Sequence, residues 1–173
     1  MAALEFTRRY AMAHRLIADP HDKCATPHGH NEFVAIRVAP TAPVRFGGAN
    51  MTTPFAAVKA RWSAWIDGAV DHAFQVNAAD PLIDFFRAHE PDRLARLLVA
   101  PGDPTTEVLA ALFWCKLEAF LAADDLPYVV TAIRVEETPT NAVLLTREGF
   151  DPGDCGLAAQ GWWRRPDMSI NDF

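Results

Sequence analysis

Residues 28–38 read HGHNEFVAIRV, an alternation that sets His30, Glu32, Val34, Ile36 and Val38 on one side of a strand. A face so largely apolar must be buried under a second layer, which commits the chain to a layered fold. Successive side chains on a strand point to opposite faces, so His28 and His30, two apart, share one. The preceding segment, LEFTRRYAMAH, puts Leu4, Phe6, Tyr10, Met12 and His14 on one parity, closing on a third histidine. If the two strands pair as a hairpin-like unit, His14, His28 and His30 converge. Three neutral imidazoles with no thiolate form the ligand set of an open, catalytic zinc site, whose fourth position is left for water or substrate. His21 sits in DPHD, a turn setting, and is not expected to join them.

After these strands the period changes. Thr53 is the expected N-cap and Pro54 the first residue of a helix whose Phe55, Val58, Trp62, Trp65 and Ile66 fall at helical spacing. Residues 39–50 form a turn-rich connection. Residues 78–103 are punctuated by Pro and Asp, with short helices expected around Leu82–Phe86 and Leu94–Leu98. A second long helix starts near Pro104, with Leu109, Leu112, Phe113, Leu117 and Phe120 as its stripe. YVVTAIRVEET is a third strand, with Val129, Ile133, Val135 and Glu137 on one face, and NAVLLT a short fourth. The expectation is an α+β domain of order ββααββ: an antiparallel four-stranded sheet with two helices on one face. Residues 1–149 make that single domain, with a long connection at 78–103. Residues 150–173 form a mostly irregular C-terminal extension.

The 173 residues allow a sizeable core, and a formal net charge of -6 argues against a nucleic-acid partner. The N-terminus lacks the apolar stretch of a signal peptide and no run approaches the length of a membrane helix. Three cysteines without an export signal suggest reduced thiols in the cytoplasm. Cys115 lies in the apolar ALFWCKLEAF and reads as a small core residue; Cys155, in GDCG, as a surface thiol. Cys24 differs, because Lys23, Thr26 and Pro27 place it in a polar loop four residues before His28. Asp71 and His72 are adjacent where the first helix runs out. Glu137 ends an apolar strand face, where a carboxylate calls for a partner. Glu136, of opposite parity beside Arg134, reads as solvated.

Taken together, AMAHRL, CATPHGHNE, VDH with Asn77 after it, DPTTEVLA and VEETPT occur in the order found in the 6-pyruvoyltetrahydropterin synthase family. The chain resembles most closely its 6-carboxytetrahydropterin synthase branch, which the three-residue gap between Cys24 and H-G-H distinguishes. The resemblance implies a T-fold (tunnelling-fold) subunit whose sheets join between copies into a barrel, as a homo-oligomeric hexamer built as a dimer of trimers. It implies zinc on His14, His28 and His30, and Cys24 as the catalytic base with Asp71 and His72 completing a triad. Glu137 would anchor the pterin substrate, with Thr105, Thr106 and Glu107 nearby. The implied reaction converts 7,8-dihydroneopterin triphosphate to 6-carboxytetrahydropterin, acetaldehyde and triphosphate, a step towards queuosine and other 7-deazapurines. Two positions depart from the family pattern: Pro54 replaces an aspartate in the stretch NMTTPF, and Val108 an asparagine after P-T-x-E. Other readings of the same residues are a pyruvoyl- or sepiapterin-type activity, a zinc hydrolase with Glu32 or Glu137 as base, and a noncatalytic zinc module with Cys24 as fourth ligand.

Overall fold

Two strands, β1 (Leu4–His14) and β2 (His28–Pro40), pair antiparallel along their lengths, from Leu4↔Val38 to His14↔His28. The period-two patterns are met: Phe6, Tyr10, Met12 and His14 are buried, as are Glu32, Val34, Ile36 and Val38. This is a computed structural model, and it describes residues 2–44, 46, 48 and 51–173. Positions 45, 47, 49 and 50 of the expected turn-rich connection lie outside the described residues. No helix among the described residues is long and apolar enough to cross a membrane.

The sheet is wider than the expected four antiparallel strands. It has six, in the order β4-β3-β1-β2-β5-β6. The two unexpected strands are β3 (Ala73–Asn77) and β4 (Leu97–Ala100), which pair parallel with each other, while β3 pairs parallel with the end of β1. Both are short and covered on both faces, so neither alternates in sequence. Ala73, Leu98 and Ala100 join the main core, while Val76 and Leu97 pack with Ile83 in a smaller cluster on the other side. The last two strands, β5 (Tyr128–Thr138) and β6 (Asn141–Thr146), have the expected bounds. The expected face of β5 needs one correction. The register with β2 shifts between Arg37 and Val38, so Tyr128 and Val130, not Val129, face inward before the shift, and Ile133 and Val135 after it.

The helices pack the core. The first, α1 (Phe55–Trp65), has Pro54 as its N-cap and not Thr53, and Phe55 at its first turn is exposed. It ends in a π-helical turn, Ile66–Val70, closed by Asp71 N–H donating to the Ile66 carbonyl at 2.7 Å. Next comes α2 (Leu82–His89), and where a second short helix was expected a 3-10 turn (Pro91–Arg96) leads into β4. The long α3 (Thr106–Ala123) buries its expected stripe, but also Ala110, Trp114, Cys115 and Lys116. The irregular tail covers that other side. Burying a Phe-sized side chain contributes roughly 1.5–3 kcal/mol, and Trp162 and Trp163 add two large rings there. Lys116 donates to the Trp162 carbonyl at 3.0 Å and to Asp167 at 3.3 Å, among the rings of Trp65, Phe120 and Trp162. Burial pushes its ammonium down to about 8.

The two sides of the sheet end differently. On β4 the tail supplies the missing partners: Val99 N–H donates to the Ile170 carbonyl at 3.0 Å, and Trp162 Nε1–H to the Val99 carbonyl at 2.7 Å. Among the described residues strand β6 is an open edge, with Leu144 60% exposed. The stretch Leu4–Tyr10 of β1, among the described residues, also lacks a strand on its outer flank, because β3 reaches only Met12–His14.

Candidate active site

The cross-strand pair His14↔His28 and the pair Met12↔His30 bring three imidazoles to one end of the sheet. Their ring centroids lie 4.5, 5.2 and 5.1 Å apart, and one nitrogen from each falls within 4.8 Å of the others. His14 Nδ1 is 3.2 Å from the Pro104 carbonyl and His28 Nδ1 2.9 Å from the Thr26 carbonyl. A carbonyl can only accept, so both rings carry their proton on Nδ1 and aim an Nε2 lone pair inward. Those two Nε2 atoms are 3.1 Å apart. Two lone pairs at that distance repel unless one cation, a metal ion or an added proton, serves both. Burial lowers the pKa of His14 and favours the neutral, ligating form. The cluster therefore fits a divalent metal in ligand type, tautomer and spacing. His21 sits in an exposed turn outside it.

Gly29 is what allows H-G-H to lie this close to β1. A Cβ there would meet the Met12 carbonyl oxygen at 2.5 Å, a backbone atom that cannot swing aside. Gly29→Ala should therefore spread β1 from β2 and weaken metal affinity by at least about tenfold, the scale of losses when ligand orientation is disturbed, so that metal is lost to a competing chelator that leaves the unaltered protein loaded. Full metal content in that variant after the chelator, measured by elemental analysis, would show the close approach to be dispensable.

The histidines open into a cleft of about 750 Å³ that Cys24, Thr105, Thr106, Glu107 and Glu137 also line. The Cys24 backbone is tied down on both sides, its N–H donating to Asp22 at 2.7 Å and its carbonyl accepting from Leu16 N–H at 2.8 Å. Burial first, then Asp22, pushes the Cys24 thiol up, with Lys23 opposing. A thiolate at neutral pH thus needs positive charge beyond Lys23, and the histidine cluster is where a divalent ion would supply it.

Glu137 falls at a register shift between β5 and β6, where Glu136 pairs with Ala142 and Thr138 with Asn141 and the residue between is left over. Such a bulge re-aims a side chain. Glu137 lines the cleft and accepts from Thr106 Oγ1 at 3.1 Å, whereas Glu136 is tied to Arg134 at 2.8 Å. Thr105 caps α3, its hydroxyl accepting from Val108 N–H at 3.4 Å. Asp103 holds this helix start in place by accepting from Ile17 N–H, Ala18 N–H and Asn77 Nδ2. Lys23, Thr138 and Asn141 line the cleft as well and were missed from the sequence, Lys23 despite standing next to Cys24. Beneath the histidines, Tyr10 Oη donates to the buried Glu32, whose carboxyl burial pushes up to about 7.

Asp71 and His72 are elsewhere in this chain. They dock on the outer flank of β1: Ala11 N–H donates to Asp71 Oδ1 at 2.8 Å, and His72 N–H to the Ala11 carbonyl at 2.8 Å. His72 holds φ at 63°, a left-handed conformation uncommon outside glycine, and its side chain is 74% exposed. It lines a second cleft and not the one holding Cys24.

Comparison with known proteins gives one consistent picture. The family model for 6-pyruvoyl tetrahydropterin synthase matches residues 3–148. A probable 6-carboxy-5,6,7,8-tetrahydropterin synthase from Halobacterium salinarum is 32% identical over 136 residues, covering 78% of this chain and 79% of that protein. Among solved structures, an uncharacterized protein from Wolinella succinogenes superposes with a TM-score of 0.63 at 19% identity, over 85% of this chain and 99% of that one. The Caenorhabditis elegans 6-pyruvoyl tetrahydropterin synthase gives 0.55 at 21%, over 84% and 94%. The fold is the T-fold of these proteins, here with β3 and β4 in the same sheet. With a matching model over most of its length and a curated relative above 30% identity, the chain belongs to the 6-pyruvoyl tetrahydropterin synthase family.

Proposed function

We propose that the chain is a zinc-dependent 6-carboxytetrahydropterin synthase, a lyase converting 7,8-dihydroneopterin triphosphate and water to 6-carboxytetrahydropterin, acetaldehyde and triphosphate for a 7-deazapurine pathway such as that to queuosine. The observation that carries this reading is one cleft lined by the three-histidine cluster, a thiol outside it and a carboxylate at a bulge. The name of the Halobacterium relative points to the carboxy branch. Zinc held by His14, His28 and His30 would act as a Lewis acid on the neighbouring hydroxyls of the substrate side chain, acidifying the C–H beside them.

The chain's own groups do the rest. Glu137, steadied by Thr106, accepts two N–H donors from the guanidine-like edge of the pterin. Cys24 removes the side-chain proton, and Lys23 beside it favours the thiolate. Asp71 orients His72, which returns a proton elsewhere on the substrate. Because His72 does not line this cleft in its own chain, we assign that role to the His72 of another copy.

Product analysis with purified protein tests the reading. Acetaldehyde and the 6-carboxy pterin are the expected products; 6-pyruvoyltetrahydropterin would place the chain in the other branch, and no turnover of any pterin would sink the proposal. Charge-assisted hydrogen bonds contribute on the order of 1.5–3 kcal/mol each. Glu137→Ala should accordingly weaken pterin binding at least about tenfold with metal retained, while Glu136→Ala, which only releases Arg134, should change little. Equal losses at the two positions would rule out Glu137 as the pterin anchor.

A further inference from the structure

We propose that the cleft bounded by His72, Phe74, Phe86, Arg93 and Arg96 is a polyphosphate pocket, an assignment that rests on the pterin-synthase reading: it receives the triphosphate of a substrate whose ring lies in the Cys24 cleft of another copy. The Cys24 cleft is poorly equipped for such a tail. Its charged side chains, apart from the histidines, are Lys23, Glu107 and Glu137; with the metal ion committed to the side-chain hydroxyls and Glu137 to the ring, Lys23 is the one cation among the lining residues left for the phosphates. A triphosphate carries several negative charges and sits at the end of the substrate side chain remote from the ring, so its cations must come from beyond that cleft.

The second cleft, of about 380 Å³, offers them. Arg93 and Arg96 lie one turn apart on the 3-10 segment Pro91–Arg96, within the long 78–103 connection. Arg96 is fixed by donating through Nη1 to the Gly68 carbonyl at 2.8 Å and pairs with no carboxylate among the described residues. Among the described residues the one carboxylate paired with Arg93 is Glu90, at 3.9 Å, too far for a hydrogen bond. A planar guanidinium matches two phosphate oxygens at once, which suits both side chains to a phosphate chain. Phe74 and Phe86, with ring centroids 6.4 Å apart, wall the cleft with apolar surface that strengthens such contacts. His72 stands on its rim. One group thus links the two deficits of the Cys24 cleft: whatever brings another copy's His72 to the substrate side chain also brings Arg93 and Arg96 towards its phosphates.

Glu90, in the same cleft, gives the assignment a sign. An anion there is repelled by its carboxylate, so removing that charge should tighten binding, an outcome that mere structural damage does not produce. The experiment uses the full-length protein in its native oligomeric state and two separate probes: inorganic tripolyphosphate, followed by calorimetry, and unphosphorylated neopterin, followed by fluorescence. Arg93→Ala and Arg96→Ala should each weaken tripolyphosphate about tenfold, the loss expected for one charge-assisted contact. Glu90→Gln should tighten it, and none of the three should change neopterin affinity. In steady state, both arginine variants should raise KM for dihydroneopterin triphosphate with kcat little changed, the pattern of a contact made equally in ground and transition states. Tripolyphosphate binding that survives the combined Arg93→Ala/Arg96→Ala change overturns the proposal, as does a parallel loss of neopterin. Should the unaltered protein bind tripolyphosphate through these arginines but fail to bind neopterin, the pterin reading falls and with it the substrate named here.

Discussion

Cys24→Ala should keep its metal and its pterin affinity yet lose about 10²–10⁴ in turnover, the range for removal of a general base. The expectation follows from where the thiol stands. His14, His28 and His30 already supply three nitrogens within 4.8 Å of one another. A fourth strong protein ligand would close the position that substrate hydroxyls need. A thiolate bound to the metal would also surrender most of its basicity to the ion. The Cys24 loop, whose Thr26 carbonyl also orients His28, is held by backbone hydrogen bonds to Asp22 and Leu16 that do not use the thiol, so the substitution leaves the loop and the cluster in place. Metal content and pterin affinity measured beside turnover separate the outcomes. A variant that arrives without metal would make Cys24 a ligand and revive the closed zinc module. One that keeps metal and full activity would move the base to another residue.

What the sequence disclosed about this site, and what it withheld, follows from the range over which each signal acts. Strand parity is local, and wherever one face is buried it holds: His14, His28, His30 and Glu137 could all be set on the inner side by counting residues. The count fails across the register shift between β2 and β5, where parity predicts Val129 inside although Val130 is the buried residue. Strands β3 and β4 were illegible because AFQVN and LLVA are packed on both faces and show no alternation. Thr53 makes no cap although its residue type suits one. Trp162 and Trp163 follow no period, yet they explain why α3 is buried on every side. The adjacency of Asp71 and His72 was plain, but a dipeptide carries no information about which cleft it faces. That depends on the flank of β1 and, in the proposed assembly, on another copy.

Cys24→Ala and His72→Ala proteins, each expected to be nearly inactive alone, should regain activity when co-expressed and purified as mixed oligomers. The geometry of the sheet leads to this. Along the order β1-β2-β5-β6 neighbouring strands alternate in direction, so a rotational repeat that lays β6 of one copy beside β1 of the next continues the antiparallel pattern without a break. Both partners are available among the described residues: β6 is an open edge, and Leu4–Tyr10 of β1 has no strand on its outer flank, Ala11 being taken by Asp71 and His72. Joining them removes exposed edges that would otherwise invite unspecific pairing. It also matches levels. The Cys24 cleft reaches Asn141–Val143 at the beginning of β6, and Asp71 and His72 dock at Ala11 near the end of β1, both at the histidine end of the sheet. A mixed ring therefore holds some junctions where an intact Cys24 cleft meets an intact His72, and others where both are lost. For random mixing of equal amounts about a quarter of the junctions are intact, so the preparation should recover about a quarter of wild-type activity if junctions act independently, well above either parent reduced by the loss of an acid or base. Recovery of none, from oligomers shown to be mixed, would mean that Cys24 and His72 must belong to one chain, against the separation seen here between their clefts.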